Sequence, residues 1–214
     1  MQPGDFAAPE TDLLVLQFQL GPAGCENDNR EMDESPFDII TPARISKTRT
    51  AIMHPSPLAV GAQAPDFELP RDGGGTLRLS ALRGRPVVLY FYPKDDTTAC
   101  TAEAVGFSAL ADRFARAGVS VIGVSPDSPK KHDKFKARHR ISVALVSDEA
   151  HAALEAYGVW GEKTMFGRKY MGVIRTTFLI DADGRVARVW PRVSVAGHPE
   201  DVLAAAQALV AADR

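Results

Sequence analysis

The residues of this sequence that are best placed to do chemistry lie in the octapeptide PKDDTTAC, from Pro93 to Cys100. The apolar run VVLYFY precedes it, and residues 102–117 follow it with apolar side chains at helical spacing. The sequence therefore predicts Cys100 where a buried strand meets a helix, in or near the first helical turn. Unpaired backbone N–H groups and the helix dipole favour negative charge there, which stabilises a reactive thiolate. The alternative is a small, buried and inert side chain, the usual role of a free cysteine.

Two neighbours can complete a reactive site around this cysteine. Thr97 lies three residues earlier, close enough to turn its hydroxyl toward the sulfur, although capping of the helix N-terminus would also explain a threonine there. Pro93 has a fixed φ and no N–H, so it can shield the site without competing for hydrogen bonds. Ending the strand is the simpler role for Pro93. We take Cys100 as the candidate nucleophile, with Thr97 and Pro93 beside it.

Strands and helices alternate along the chain from residue 56 onward, and this order predicts the fold class. Two short extended pieces come first, around the glycines at 73–75, and a hairpin turn is predicted at Asp183-Gly184. The order predicts an α/β protein with a thioredoxin-like fold, a central mixed β-sheet flanked by helices. In such sheets active sites lie where strands lead into helices, which is where Cys100 falls. The predicted strands are 86–92, 119–125, 143–146, 176–180 and 186–193, and the predicted helices are 100–117, 129–139, 149–157 and 197 onward.

The motif Pro-x-x-x-Thr-x-x-Cys after an apolar strand resembles the active-site motif of the peroxiredoxins. The longer stretch YFYPKDDTTACTAE resembles their Q-type subfamily, also called bacterioferritin comigratory proteins. The resemblance covers roughly residues 56–212 and implies the same thioredoxin-like fold. Further blocks match in the same order: APDF at 64–67, GVSPDS at 123–128, YGVWGEK at 157–163 and RTTFLID at 175–181.

The resemblance also implies roles for individual residues. Arg175 would be the cation that stabilises the thiolate, and a guanidinium suits this role because it does not itself titrate. Without the resemblance, Arg175 would be an ordinary charge at a strand edge. Thr97 would hydrogen-bond the peroxide oxygens, and Pro93 would shield the sulfur. Glu103, within a turn of Cys100, either orders the hydrogen bonds of the site or is a solvated acid in the first turn.

The sequence departs from the commonest subfamily pattern at the second cysteine. Many Q-type members carry a resolving cysteine five residues after the first, and here that position is Val105. Cys25 is the only other cysteine, and nothing in the sequence positions it, so an incidental thiol is its simpler explanation. The resemblance therefore implies a one-cysteine enzyme whose sulfenate is reduced by thioredoxin, glutaredoxin or a small thiol. Resolution by Cys25 is left open.

The predicted function is a thiol-dependent peroxidase that reduces hydrogen peroxide and organic hydroperoxides. The alternative is a peroxide sensor in which Cys100 oxidises but turns over slowly and signals to a partner, and the missing resolving cysteine keeps this alternative open. We expect no cofactor and no metal. A monomer or weak dimer is expected from the resemblance.

Composition limits the other classes of function. With 25 Lys and Arg against 27 Asp and Glu, the net charge of −2 makes no electrostatic case for a nucleic-acid or anionic membrane partner. Two cysteines suit a reducing compartment and no run reaches the roughly 20 apolar residues of a membrane span, so we expect a cytoplasmic protein. The basic segment KKHDKFKARHR at 130–140 is best explained as a solvated helix face, and its two histidines lack a third metal ligand.

The N-terminal quarter differs from the rest of the chain. Residues 25–38 are acidic and polar with little to bury, and a basic stretch without periodicity follows. We expect residues 1–55 to form an extension of low structural content and residues 56–214 to form the thioredoxin-like peroxiredoxin domain. Because Met53 stands just before the matched region, we hypothesise that the native chain starts there.

Overall fold

The computed structural model describes residues 58–165 and 167–212. The predicted extension at 1–55, the start at Met53 and the question of Cys25 lie outside the described residues and stay predictions. The elements in chain order are β1 (Glu68–Pro70), β2 (Thr76–Arg78), a 3₁₀ turn (Leu79–Leu82), β3 (Val87–Phe91), α1 (Thr98–Ala109), α2 (Ala111–Arg116), β4 (Ser120–Ser125), α3 (Pro129–His139), β5 (Ala144–Ser147), α4 (Ala152–Ala156), β6 (Trp160–Met165), β7 (Arg168–Val173), β8 (Thr176–Ile180), β9 (Val186–Pro191) and α5 (His198–Ala212).

A five-stranded mixed sheet in the order β5-β4-β3-β8-β9 organises these elements. Strands β3, β4 and β5 run parallel, while β8 pairs antiparallel with β3 and with β9. All five residues of β3 and all five of β8 are buried, as expected for strands at the centre of a sheet that is covered on both faces. The predicted thioredoxin-like mixed sheet is confirmed.

The side chains of β3 alternate between two apolar cores, one on each face of the sheet. Val88 and Tyr90 pack with apolar residues of α1, α2, α3 and α5, and Cys100 belongs to this core. Leu89 and Phe91 pack on the other face with residues that include Tyr157 of the loop after α4. The cysteine therefore belongs to the core on the same face of the sheet as Val88 and Tyr90.

The predicted helix at 100–117 is two helices. It starts at Thr98 and breaks at Leu110, whose φ and ψ of −100° and 3° are not helical. Ser108 explains the break, because its hydroxyl donates to the carbonyl of Ala104 at 2.7 Å and also accepts from the amide of Ser142 at 3.0 Å. A serine bonded back to residue i−4 bends a helix. Phe114 stays buried after the break, so the apolar spacing of the sequence is preserved.

Two other differences concern residues 149–173. Helix α4 starts at Ala152 instead of residue 149, because His151 has a left-handed φ of 63° and the carboxylate of Asp148 accepts from the amide of Leu154. It ends before Gly158, as predicted, and this glycine has a φ of 64°. The sequence did not predict the β6–β7 hairpin, since its strands are short of apolar residues and lack an alternating pattern.

Among the residues that the structure describes, no helix is both long and apolar enough to cross a membrane.

Gly123 of β4 provides a test of how tightly the sheet packs against the core of the site. A Cβ at this position would lie 2.6 Å from the ring of Tyr90 and 2.8 Å from Leu145, and all three positions are buried. We expect Gly123→Ala to lower the free energy of unfolding by about 1–3 kcal/mol through overpacking, measured by urea denaturation. Ser120→Ala in the same strand is the control and should change stability by less than about 0.5 kcal/mol. Equal stabilities of the two variants would contradict the packing described here.

Candidate active site

Cys100 is the third residue of α1, and only 1% of its surface is exposed. Strand β3 ends at Phe91, and a short loop then leads to the helix with Thr97 at the N-cap position in extended conformation. The strand-to-helix junction that the sequence predicts is therefore confirmed, and so is the position of the cysteine in the first turn. Burial removes competing water from the sulfur, so neighbouring charges act on it strongly.

Arg175 supplies the nearest of these charges. Its Nη2 atom donates a hydrogen bond to the Sγ atom of Cys100 at 3.1 Å, across 75 positions of sequence. The register of the sheet explains the approach, because β3 and β8 pair antiparallel with Phe91 opposite Thr176. Residue 175 therefore lies beside the end of β3, where the loop to Cys100 begins. The sequence predicts each residue next to the end of a strand, and the antiparallel pairing of β3 with β8 brings the two together.

Glu103 completes a buried triad with the cysteine and the arginine. Its side chain is fully buried, and its Oε2 atom accepts a hydrogen bond from Nη1 of Arg175, so the alternative of a solvated first-turn acid is wrong. Burial raises the pKa of Glu103 to about 7, against the opposing effect of Arg175. For Arg175 itself burial disfavours the charge, but Glu103 and Cys100 outweigh it and raise the pKa of the guanidinium. One guanidinium thus bridges a carboxyl group and a sulfur atom.

Thr97 and Pro93 lie on the loop that approaches the cysteine. The hydroxyl of Thr97 donates to the carbonyl of Lys94 at 3.2 Å and makes no capping bond to the helix, and the residue is exposed. Pro93 is half-buried directly after Tyr92, where the β3 chain turns away from the sheet. Both residues therefore lie on the segment that connects β3 to the first turn of α1.

The loop between β3 and α1 is anchored by a buried hydrogen-bond network that the sequence did not reveal. Asp95 accepts from the hydroxyl of Tyr92 at 2.8 Å, and its other carboxylate oxygen lies 2.8 Å from Nδ1 of His132. The amide of Asp95 donates to the carboxylate of Asp127 at 2.7 Å. The only available signal was the spacing of His132 and Phe135, which places both on the buried face of α3.

Ion pairs hold the same loop to the last turn of α3 through Asp96. Asp96 adopts a left-handed φ of 59°, which is uncommon for a residue other than glycine. Its carboxylate pairs with Nη1 of Arg138 at 2.9 Å and with Nε2 of His139 at 2.8 Å. The two histidines of α3 thus contact two different aspartates of the same loop. Within the described ranges, no group of three His, Cys, Asp or Glu side chains is placed to hold a metal ion.

Two further ionisable residues lie around the arginine. Nζ of Lys163 donates to the carbonyl of Val173 at 3.1 Å, and its pKa is lowered by burial and then by the charge of Arg175. His198 begins α5, as the sequence suggested, and its Nε2 atom lies 2.8 Å from the hydroxyl of Thr177. Burial lowers the pKa of His198 to about 4, so this histidine is neutral around pH 7 and does not add to the cationic charge.

The arrangement is suited to nucleophilic chemistry at sulfur. A helix N-terminus and a permanent cation stabilise an anionic sulfur, and the same guanidinium can stabilise negative charge that develops on a bound oxygen. Cys100 is the one cysteine among the described residues, and a reactive cysteine of this kind is suited to two-electron oxidation by a small electrophile.

Comparison with known proteins agrees with this chemistry. The family model of the AhpC/TSA family matches residues 60–189. A putative peroxiredoxin bcp of Coxiella burnetii is 48% identical over 146 residues, which cover 68% of this chain and 97% of the relative. The peroxiredoxin Bcp of Bacillus subtilis is 46% identical over 146 residues, with 68% and 93% covered.

Solved structures show the same relationship. Peroxiredoxin Q of Xanthomonas campestris superimposes with a TM-score of 0.65 at 43% identity, over 67% of this chain and 91% of that one. A second structure from that organism, named for the alkyl peroxide reduction activity of its bacterioferritin comigratory protein, matches with a TM-score of 0.65 at 42% identity, over 67% and 92%. The chain therefore belongs to the AhpC/TSA family, and within it to the Q-type peroxiredoxins, the bacterioferritin comigratory proteins.

Proposed function

We propose that Cys100 is the nucleophile with which this thiol-dependent peroxidase reduces hydrogen peroxide and organic hydroperoxides. The observation that carries the assignment is the 3.1 Å contact between Nη2 of Arg175 and the sulfur, in the first turn of a helix. The X. campestris relative named for alkyl peroxide reduction supports the organic substrates.

The chemical step follows from the identity of the nucleophile. The thiolate of Cys100 attacks one peroxide oxygen, the S–O bond forms as the O–O bond breaks, and the second oxygen leaves with the bonding electron pair. That oxygen takes up a proton and departs as water or an alcohol, while Cys100 becomes a sulfenic acid. The sulfur is oxidised by two electrons and the peroxide is reduced by two.

Each neighbour has a role in this step. Arg175 stabilises the thiolate and then the charge on the leaving oxygen, and Glu103 fixes the guanidinium in place from its buried position. Thr97 hydrogen-bonds the bound peroxide, and its exposure at the N-cap position leaves the hydroxyl free to exchange the carbonyl of Lys94 for that partner. Pro93 shields the sulfur from solvent without offering a competing N–H.

The sulfenic acid is reduced by a thiol from outside the domain. Cys100 is the only cysteine among the described residues, and the position five residues further on is Val105, with 41% of its surface exposed. Thioredoxin, glutaredoxin or a small thiol condenses with the sulfenic acid to a mixed disulfide and water, and a second thiol then releases Cys100. We also propose a cytoplasmic protein that is a monomer or a weak dimer.

The first prediction separates an enzyme from a sensor. We expect Cys100→Ser to abolish steady-state peroxide reduction while its far-UV circular dichroism matches that of the wild type, because only the nucleophile is removed. Wild-type protein should turn over many equivalents of peroxide with dithiothreitol as the donor. A wild-type protein that reacts once and stalls with every thiol donor would instead support a peroxide sensor, and a fully active serine variant would refute the assignment.

A second prediction concerns the cation. We expect Arg175→Ala to slow the reaction with hydrogen peroxide about 100-fold at neutral pH, since one preorganised charge on the reacting atoms is lost. Stopped-flow kinetics measures this rate, and alkylation by iodoacetamide over a range of pH measures the loss of thiolate. Arg168→Ala, at an exposed position of β7, is the matched control and should react like the wild type. Unchanged kinetics at neutral pH in Arg175→Ala would remove this role.

A third prediction uses the buried carboxyl group. The folded-state pKa of Glu103 is about 7, above its ordinary value of 4.5, so between these pH values the folded protein holds a proton that the unfolded chain has lost. The stability that this proton contributes is fully present below about pH 4.5 and is lost as pH rises through about 7. Relative to Glu103→Gln, the wild type should therefore lose on the order of 2–3 kcal/mol of unfolding free energy across this window.

Urea denaturation at several pH values measures this difference. Glu155→Gln, at an exposed position of α4, is the control and should follow the wild type at every pH. A constant difference between wild type and Glu103→Gln from acid to neutral pH would show that the carboxylate is charged throughout.

A further inference from the structure

We propose that a cationic face beside the active-site loop is the docking surface for a protein thiol reductant whose reactive cysteine is rimmed by carboxylates. The face consists of Lys94 in the loop and Lys131, Lys134 and Arg138 on α3. This inference rests on the proposed function, because it names the partner that reduces the sulfenic acid of Cys100.

The partner must approach at this loop. Only 1% of the surface of Cys100 is exposed, and the described part of the chain holds no second cysteine that could carry the oxidation to another surface. An attacking thiol forms an S–S bond with the sulfenic sulfur as the S–O bond breaks, and the oxygen leaves as water with the proton of the thiol. This displacement requires contact with Cys100 itself, at the junction between the loop and α1.

The cationic face lies next to this junction. Its four cations line one surface depression of about 190 Å³, together with Asp95, Asp96 and Asp127. Lys131, Lys134 and Arg138 are spaced by three and four residues, so they form a continuous row along α3. Lys94 is three residues before Thr97 at the N-cap of the cysteine helix. The depression thus joins the row on α3 to the loop that leads into the cysteine helix.

The charge of this face is only partly cancelled by the three aspartates that line the same depression. Residues 130–140 contain six Lys and Arg residues against one acidic residue, in a chain whose net charge is −2. Lys131 pairs with Asp127 and Arg138 with Asp96, whereas Lys94 and Lys134 form no ion pair with any other described residue. A concentration of unpaired positive charge attracts a complementary negative surface and raises the rate of association.

A protein partner fits the face better than a small anionic thiol. The side chains of Lys131 and Arg138 are 60% and 63% exposed, so they lie at the surface instead of pointing into a closed site. The depression is smaller than the roughly 300–1,000 Å³ of typical small-molecule sites. Exposed charges at the rim of an interface mainly change the association rate and its dependence on salt.

The test compares charge reversals on and off the face. Peroxide turnover is measured with an acidic bacterial thioredoxin, kept reduced by its reductase and NADPH, and separately with dithiothreitol, which is uncharged. Lys134→Glu lies on the face, and Lys130→Glu is the matched control because Lys130 is exposed on the same helix but does not line the depression. Lys94→Glu combined with Lys134→Glu adds the loop cation.

We expect Lys134→Glu to raise the KM for thioredoxin about fivefold at low salt and the double variant to raise it further, each without changing turnover with dithiothreitol. Raising the salt concentration from about 20 to about 200 mM should raise the wild-type KM and reduce the difference between wild type and variant. Lys130→Glu should match the wild type with both donors.

Equal KM values for Lys134→Glu and Lys130→Glu would overturn the docking surface, as would a thioredoxin that fails to support turnover where dithiothreitol succeeds. A wild-type protein that is inactive with dithiothreitol would overturn the proposed function and the docking surface with it. The dithiothreitol reaction therefore distinguishes the two failures.

Discussion

The contact between the guanidinium of Arg175 and the sulfur of Cys100 is the interaction on which the rest of the site depends. It joins two residues 75 positions apart, and the antiparallel pairing of β3 with β8 makes it possible. A shift of one residue in this pairing would move every side chain of β8 to the opposite core and turn Arg175 away from the site. The central sheet is buried on both faces, so this register is strongly determined and the position of the cation is determined with it.

Burial and charge act against each other at this site. Sequestering the sulfur and Glu103 in an apolar core disfavours an anion at both positions, while one arginine favours an anion at both. Because the carboxyl group and the sulfur share one cation, a change of charge on either alters the field on the other. Neutral His198 adds no competing charge, although it packs between Phe107 and Trp190 close to this region.

The parts of the structure that were predictable from the sequence are those with strong local signals. The buried strand before Pro93, the helix after Cys100 and the end of α4 at Gly158 all follow from apolar periodicity and backbone preferences. The break at Leu110 depends on a hydroxyl of Ser108 that also accepts from Ser142, a tertiary contact that no local pattern encodes. The family motif suggested Arg175, whereas the anchoring of Asp95 by His132 required the packing of α3 against the loop.

The anchoring of Asp95 has a further consequence for the movement of the cysteine. The amide and the carboxylate of this residue are both held in the buried network, so the chain is fixed at one point five residues before the sulfur. Phe107, fully buried in the core, fixes it again seven residues after the sulfur. If the first turn of α1 were unwound, the five residues from Asp95 to Cys100 would let the sulfur lie at most about 17 Å from Asp95. Any displacement of the sulfur is therefore limited to this distance from Asp95, and the sheet to which the loop is anchored need not move with it.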